Sequence, residues 1–424
     1  MVWVLFGVFT LLLALNIPVA YAMLVVSIGY LVWNWNIPFI VVAQQLGAGT
    51  DQFLLLSIPF FYLAGEFMAH GGITARLVNL ARALVGHFRG GLGHVTVVSS
   101  MLFSGISGSA VADMAALGKI EIGMMRAAGY PLGFAAAIKS AAATLGPIIP
   151  PSIPLLVYGS MTDTSVGKLF LAGFVPGLLM TIFLMVAVTV VATRRNFPLS
   201  PWVGWGPALK TVIESIPVLM LPVIILGGIF GGLFTPTEAA IVSAAYALVV
   251  GMIIGDLKLK NIPAILVKVA VESAQIMIIL AAAALFSWIL AREQIPAQLA
   301  SIALSHHTEP WLFLLAVNLL FLFLGAFMET IPIMVIAIPV LLPIVKALGI
   351  DLVHFGVMIS LNLMIGLIHP PIGMLMFIVM SMTKISMQEF VRETWPFLFA
   401  LIAALIVVTY WPWIVLVVPN YFYG

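Results

Sequence analysis

The chain is a succession of long apolar runs separated by short clusters of polar residues, Gly and Pro. Runs of about 20 apolar residues are long enough to cross the hydrocarbon core of a bilayer as helices. The eleven runs lie at 2–34, 53–70, 92–118, 131–157, 168–193, 212–234, 238–255, 269–291, 311–345, 353–378 and 394–417. This pattern predicts an all-α polytopic membrane protein. The first run could form one long tilted span or two short ones around Pro18.

Composition agrees with this class and excludes others. Of the 424 residues, 63% are hydrophobic and 8% are charged, whereas soluble proteins carry about 25% charged residues. A net charge of +2 gives no basic surface for nucleic acid, and the absence of cysteine excludes disulfides and thiolate metal sites. No Walker A motif, dinucleotide fingerprint or nucleophile–base pair is present, so we expect neither ATP hydrolysis nor another enzyme activity.

Two apolar runs are interrupted in the middle, at 104–109 and at 325–332. Irregular backbone at membrane depth is tolerated only where protein or a wet cavity satisfies it, so we interpret both as re-entrant hairpins. With this assumption, 13 of the 17 Lys and Arg residues fall on one side of the membrane, three fall on the other, and Lys139 lies within a span. The positive-inside rule then makes the first side cytoplasmic and places the C-terminus outside.

The two interrupted regions belong to a repeat with an offset of 220 residues. Phe103-Ser104-Gly105 matches Phe323-Leu324-Gly325, and the Gly-Pro-Ile-Ile-Pro-Pro motif at 146–151 matches Gly-Leu-Ile-His-Pro-Pro at 366–371. Five predicted crossings separate the copies, so they would have opposite orientations in the membrane. Inverted repeats with discontinuous helices are typical of secondary transporters, whose binding sites lie near the bilayer midplane.

The Pro-rich motifs have a chemical consequence. Three prolines within five residues interrupt the helix after Thr144, which exposes carbonyl oxygens near Gly146 and Ile149. Together with the small polar hairpin turns, these oxygens could coordinate a monovalent cation, and the scarcity of carboxylates favours Na⁺ over Ca²⁺ or Mg²⁺. Tight helix packing by small residues is the alternative. The candidate ligands of two Na⁺ sites are Ser104, Gly105, Ser107, Gly146, Ile149 and Pro151 in the first copy, and Gly325, Thr330, Gly366, Ile368 and His369 in the second.

Helix N-termini at the hairpin turns would attract an anionic substrate. The candidate substrate contacts are Ser109, Asp113, Thr144 and Glu329. The charged groups within spans, which include Glu66 and Lys139, could instead form structural ion pairs. His369 could titrate, ligate an ion or only donate a hydrogen bond. Thr235-Pro236-Thr237-Glu238 has the pattern of a capping box and predicts the start of a helix.

Four motifs carry a resemblance to a known family: 103–118, 146–152, 234–240 and 366–373. They resemble the large membrane subunit of tripartite ATP-independent periplasmic (TRAP) transporters. The resemblance implies an elevator-type, sodium-coupled subunit of the bacterial inner membrane. It also implies a separate small four-helix membrane subunit, a periplasmic substrate-binding protein, and an organic-acid substrate such as sialic acid or a C4-dicarboxylate. The family often has Thr where this chain has His369, which puts side-chain ligation at the second site in doubt.

The expected organisation alternates scaffold and transport segments. Its parts are scaffold spans with a cytoplasmic interfacial helix (1–91), a first hairpin and broken helix (92–165), scaffold spans (166–310), a second hairpin and broken helix (311–385) and a C-terminal scaffold span (386–424). The basic segment 71–91 could instead be a loop that anchors the topology. Two other functions stay open: a proton-coupled anion transporter, or a non-transporting membrane scaffold or intramembrane enzyme.

Overall fold

A computed structural model describes residues 2–34, 37–254, 257–305, 309–370 and 372–423. Within these ranges the secondary structure is helical throughout, with no strand. Short 3₁₀ turns, Phe53–Leu56 and Leu259–Asn261, precede two of the helices. The α-helices are α1 (Val2–Ala14), α2 (Val19–Trp33), α3 (Ile40–Thr50), α4 (Ser57–His70), α5 (Ile73–Val85), α6 (Gly91–Ser107), α7 (Ala110–Ala127), α8 (Leu132–Ala143), α9 (Ile153–Thr162), α10 (Val166–Arg194), α11 (Trp205–Phe230), α12 (Pro236–Ile254), α13 (Ile262–Arg292), α14 (Ile295–Ser305), α15 (Pro310–Gly325), α16 (Thr330–Ala347), α17 (Leu352–Gly366), α18 (Met374–Thr383), α19 (Met387–Tyr410) and α20 (Pro412–Tyr423).

Breaks inside the apolar runs determine the lengths of these helices. In the described ranges, seven helices are long and apolar enough to cross a membrane, and further apolar helices have only 10–17 residues. The first run forms two helices, because Asn16 has a φ of 62° and Pro18 follows. The last run also differs from the single predicted span, since α19 ends at Tyr410 and α20 begins at Pro412, which has no backbone donor. The protein is thus a multi-pass membrane protein built partly from short helices.

The helices are interrupted at all four of the predicted places. Helices α6 and α7 are joined by Gly108 and Ser109, and α15 and α16 by residues 326–329. Residues 144–152 separate α8 from α9, and residues 367–373 separate α17 from α18. The proline at position 371 in the second motif lies outside the described residues. Local Gly and Pro chemistry was therefore sufficient to locate the four interruptions.

The helix boundaries repeat with the spacing of the sequence motifs. Helices α7 and α16 begin at Ala110 and Thr330, and α8 and α17 begin at Leu132 and Leu352, an offset of 220 in each pair. The two halves therefore share the same order of elements around their breaks, and α7 and α16 have the same length of 18 residues, which supports duplication of the segment.

Three smaller features test the local predictions. The predicted amphipathic segment contains α5, which buries Leu77 and Leu80 and exposes Arg82. The capping box is confirmed: the backbone N and Oγ1 of Thr235 each donate to Glu238 Oε2 at 2.8 Å. Helices α3 and α14 were not predicted, because each is an apolar segment of 11 residues, too short to cross a membrane.

The tip of the first hairpin requires glycine. Gly108 has a φ of +58°, and a Cβ atom there would overlap the carbonyl oxygen of Pro151. Gly129 has a φ of +81°, but a Cβ atom there would meet nothing within 4 Å. An alanine at either position would incur the free-energy cost of the left-handed conformation, but only an alanine at position 108 would also overlap Pro151.

We expect Gly108→Ala to lower the thermal unfolding midpoint of the purified protein clearly more than Gly129→Ala. Both variants incur the left-handed strain of roughly 1–2 kcal/mol, but only the former also displaces the hairpin from Pro151. Thermal unfolding in detergent measures both. Equal losses would contradict the close contact between Gly108 and Pro151.

Candidate functional site

The tip of the first hairpin lies against the first helix break. A Cβ atom on Gly146 would lie 3.0 Å from the carbonyl carbon of Ser109, and Gly108 lies against Pro151 in the same way. Helix α10 closes the other side of the break, because Cβ atoms on Gly173 or Gly177 would overlap residues 148 and 149. The first break is thus held between the hairpin tip and α10.

Carbonyl oxygens are left without donors at this break. Pro150 occupies the position that would donate to the Gly146 carbonyl in a continuous helix, and no hydrogen bond to that carbonyl is found among the described residues. Ser152 Oγ donates instead to the Pro147 carbonyl. The hydroxyl groups of Ser104 and Thr144 donate to backbone carbonyls at 2.6 Å, so their lone pairs stay free. Ser107 Oγ accepts a long 3.5 Å hydrogen bond from the backbone N of Ser109.

In the second half the contact lies between the ends of α15 and α17, next to the hairpin tip and the break. A Cβ atom on Gly325 would lie 3.1 Å from Gly366 Cα. The Gly366 carbonyl accepts from the backbone N of His369 at 3.1 Å. His369 Nδ1 donates to the Pro370 carbonyl at 2.6 Å, so this side chain is bonded to its neighbour. Ile368 is fully buried, and no hydrogen bond to its carbonyl is found in the described part of the chain.

An inner cavity of about 110 Å³ lies between the two hairpin tips and the two breaks. The sequence predicted three of its polar lining residues, namely Ser109, Glu329 and Thr330. Thr330 is only 7% exposed, and its hydroxyl oxygen is buried with no hydrogen-bond partner among the described residues. The full lining is Tyr62, Gly108, Ser109, Ala110, Val111, Pro147, Ile153, Pro154, Glu329, Thr330, Ile331, Met364, Leu367 and Met374.

An outer cavity of about 330 Å³ shares part of this lining and extends towards α4 and α13. It adds four polar residues: Glu66, Lys268, Glu272 and Gln275. Lys268 Nζ lies 2.5 Å from Glu66 Oε1 and 3.9 Å from Glu272 Oε1. The sequence analysis did not identify Tyr62, Lys268 and Gln275 as site residues, because no local sequence pattern marks them. It also missed Glu272, although this residue is an acid within a predicted apolar run and could have been found for that reason.

Asp113 and Thr144, predicted as substrate contacts, line neither cavity. Lys139 Nζ lies 2.8 Å from Asp113 Oδ2 and 3.0 Å from Glu121 Oε2, and all three side chains are fully buried. Ser100 Oγ donates to the same Asp113 oxygen at 3.0 Å. The geometry therefore favours the structural ion pair for Asp113. Thr144 is fully buried, and its hydroxyl group is bonded within its own turn.

The second half contains a separate buried polar contact that is made by neutral groups. Asn362 Nδ2, on α17, donates to Asn318 Oδ1 on α15 at 2.7 Å. Asn318 Nδ2 in turn donates to Thr409 Oγ1 on α19 at 3.0 Å. Both asparagines are buried, so this polar contact links three helices without an ion pair.

We expect Lys139→Met to destabilise the protein by roughly 3–5 kcal/mol, because it leaves two uncompensated carboxylates in the interior. Adding Asp113→Asn and Glu121→Gln to that variant should restore much of the loss, since the buried charges disappear. Thermal unfolding in detergent of the single and the triple variants measures this effect. A triple variant no more stable than Lys139→Met would show that the lost contacts, and not the uncompensated charges, cause the destabilisation.

Known transport proteins are similar to this chain over most of its length. The family model described as "Tripartite ATP-independent periplasmic transporter, DctM component" matches residues 6–414. The chain is 42% identical to the sialic acid TRAP transporter large permease protein SiaM of Vibrio cholerae, over 100% of this chain and 99% of that one. It is 43% identical to the C4-dicarboxylate TRAP transporter large permease protein DctM of Pseudomonas aeruginosa, over 89% of each. Among solved structures, the Alcanivorax borkumensis YdaH transporter has a similar fold, with a TM-score of 0.61 at 16% identity and 88% coverage of both chains.

Proposed function

Because the chain belongs to the DctM component family of tripartite ATP-independent periplasmic transporters, we propose that it couples the import of an organic acid to Na⁺. The observation that carries this proposal is the inner cavity, which residues of both hairpin tips and both helix breaks line together. The N-terminal residues of α7 and α16 and the hydroxyl-bearing residues Ser109 and Thr330 line it. Such groups bind anionic substrates and alkali cations in secondary transporters.

The proposed Na⁺ sites lie where each hairpin contacts its break. At the first, the free carbonyl of Gly146 and the hydroxyl groups of Ser104 and Ser107 provide neutral oxygen ligands. At the second, the unpartnered Thr330 hydroxyl and the Ile368 carbonyl do so. The side chain of His369 is bonded to Pro370, so the second site would rely on backbone oxygens at that position.

The N-terminus of α7 would hold the carboxylate of the anionic substrate, and the N-terminus of α16 lies at the same cavity. The first N–H groups of a helix lack intrahelical partners and carry partial positive charge. Ser109 and Glu329 stand at these two ends, and both line the inner cavity. We therefore propose that the acid binds between the hairpin tips, next to both cations.

We propose that the two halves form an inverted repeat and that the segments 92–165 and 311–385 move against the rest of the chain as an elevator. The equal spacing of the helix boundaries supports the duplication. The 13 to 3 distribution of Lys and Arg residues supports a cytoplasmic basic face and a periplasmic C-terminus in the bacterial inner membrane.

Membership of the family also indicates which proteins would assemble with this chain. A small membrane subunit and a periplasmic substrate-binding protein would work with this chain, as the three-part name of the family implies. Relatives are named for sialic acid, C4-dicarboxylates and 2,3-diketo-L-gulonate, so we propose a carboxylic acid as substrate.

In proteoliposomes that contain the chain with its small subunit and binding protein, we expect uptake of the acid only with an inward Na⁺ gradient. Replacing Na⁺ by choline should abolish uptake, because choline is a bulky quaternary ammonium ion that the proposed oxygen ligands cannot coordinate. Uptake driven by a proton gradient without Na⁺, with its pH dependence lost in His369→Gln, would favour proton coupling. Absence of uptake under all gradients would favour the non-transporting scaffold.

We expect Ser104→Ala to raise the Na⁺ concentration for half-maximal uptake by about tenfold, since it removes one oxygen ligand without adding volume. Ser140→Ala is the matched control, because Ser140 is a fully buried serine on α8 in the same half. Its Na⁺ dependence should be that of the unmodified protein. An unchanged Na⁺ dependence in Ser104→Ala would argue against Ser104 as a ligand.

A further inference from the structure

We propose that Glu329 makes the site selective for hydroxylated acids with a single carboxylate, against dicarboxylates. The inference rests on the proposed function, in which the inner cavity binds the transported acid. To that function it adds the class of acid that is transported and the residue that determines this selectivity.

The evidence begins with an asymmetry between the two hairpin tips. Ser109 and Glu329 are 220 residues apart, and each is the residue that immediately precedes the second helix of its hairpin. Ser109 Oγ accepts a hydrogen bond from the backbone N of Ala112 at 3.3 Å and so caps α7. The Glu329 side chain makes no capping hydrogen bond to α16. Among the described residues it also has no ion-pair partner, so its carboxylate is available to a ligand.

This asymmetry changes what each helix N-terminus can bind. An N-terminus is equivalent to roughly half a positive charge and favours one anionic group nearby. At α7 the residue in that position is neutral, and Asp113 in the first turn is paired with Lys139, so the end can accept the carboxylate of a substrate. At α16 the carboxylate of Glu329 already supplies the negative charge. A substrate with two carboxylates would therefore bring its second charge next to Glu329.

The remaining charges of the two cavities do not compensate for a second carboxylate. Their charged lining residues are three acids and one base, namely Glu66, Glu272, Glu329 and Lys268. The ammonium group of Lys268 lies against Glu66 at 2.5 Å, and Glu66 is only 7% exposed. Like charges placed together cost several kcal/mol at an interface. We therefore expect the site to disfavour a dianion.

Polar groups of the inner cavity favour the hydroxyl groups of a substrate. The Thr330 hydroxyl is buried, lines the inner cavity and has no partner in the described part of the chain. Tyr62 lines both cavities and presents a phenol group. A carboxylate that accepts from a hydroxyl group forms a charge-assisted hydrogen bond, about twice as strong as a neutral one. Glu329 and Thr330 thus match the hydroxyl groups of a sugar-type acid.

The test uses the purified full-length chain in detergent with Na⁺, without partner proteins, and measures thermal unfolding against ligand concentration. A ligand that binds the folded state raises the midpoint with its concentration, which gives its affinity. The probes are D-glucuronate and N-acetylneuraminate as hydroxylated monoacids, and succinate as the dicarboxylate. We expect at least one monoacid to bind about tenfold or more tightly than succinate.

Glu329→Gln should abolish this preference by strengthening succinate binding, while the Na⁺ concentration needed for stabilisation stays unchanged. Glu309→Gln is the matched control, because Glu309 also immediately precedes a helix of the second hairpin, makes no capping hydrogen bond and lines neither cavity, and it should keep the preference within about twofold. Equal preferences in Glu329→Gln and the unmodified protein would overturn the inference. An equal relaxation in both variants would overturn it too, because the general negative potential would then be the cause.

Failure of this inference can be told apart from failure of the proposed function. If succinate and the monoacids bind equally well and only with Na⁺, the proposed function stands and the role of Glu329 is refuted. If Glu329→Gln instead raises the Na⁺ requirement, Glu329 serves a cation and the inference is refuted. If no acid stabilises the protein with or without Na⁺, the binding cavity itself is contradicted, and this inference falls with it.

Discussion

The contact between each hairpin tip and its helix break is the constraint on which the rest of the structure depends. A backbone carbonyl that loses its donor within a membrane protein must find another partner or line a polar cavity. Between α8 and α9, Pro150 and Pro151 cannot donate to the carbonyls of Gly146 and Pro147, and the hairpin tip covers this point through Gly108. Short helices, close backbone packing and the inner cavity all follow from that requirement.

The first helix break is closely packed on two sides. On one side Gly173 and Gly177 of α10 leave no space for a side chain, and on the other the hairpin tip contacts Gly146. Small residues at such positions let backbone segments approach closely, as in other membrane helix interfaces. Close packing and ion binding are therefore compatible here, because the glycines bring the backbones together while the prolines leave carbonyl oxygens without donors.

Much of the fold could be predicted from the sequence, because Gly and Pro act on their own backbone. The hairpins, the breaks and the capping box at Thr235 were predicted for that reason. Ion-pair partners could not be predicted: Glu66 pairs with Lys268, 202 residues away, and Asp113 with Lys139. The cavity residues Tyr62 and Gln275 were missed because tertiary packing alone brings α4 and α13 to the hairpins. The Asn318–Asn362 contact likewise has no local sequence signal.

The buried cluster around Lys139 also has a consequence for biosynthesis. An uncompensated lysine at the centre of a spanning helix costs roughly 2.5–3.5 kcal/mol on insertion, and α8 has only 12 residues, fewer than the roughly 20 that a span needs. Asp113 and Glu121 both precede Lys139 in the chain and leave the ribosome before it. The first hairpin is then already synthesised when α8 emerges, and its carboxylates can receive the lysine. The order of translation therefore allows α7 to act as an intramolecular chaperone for the helix that follows it.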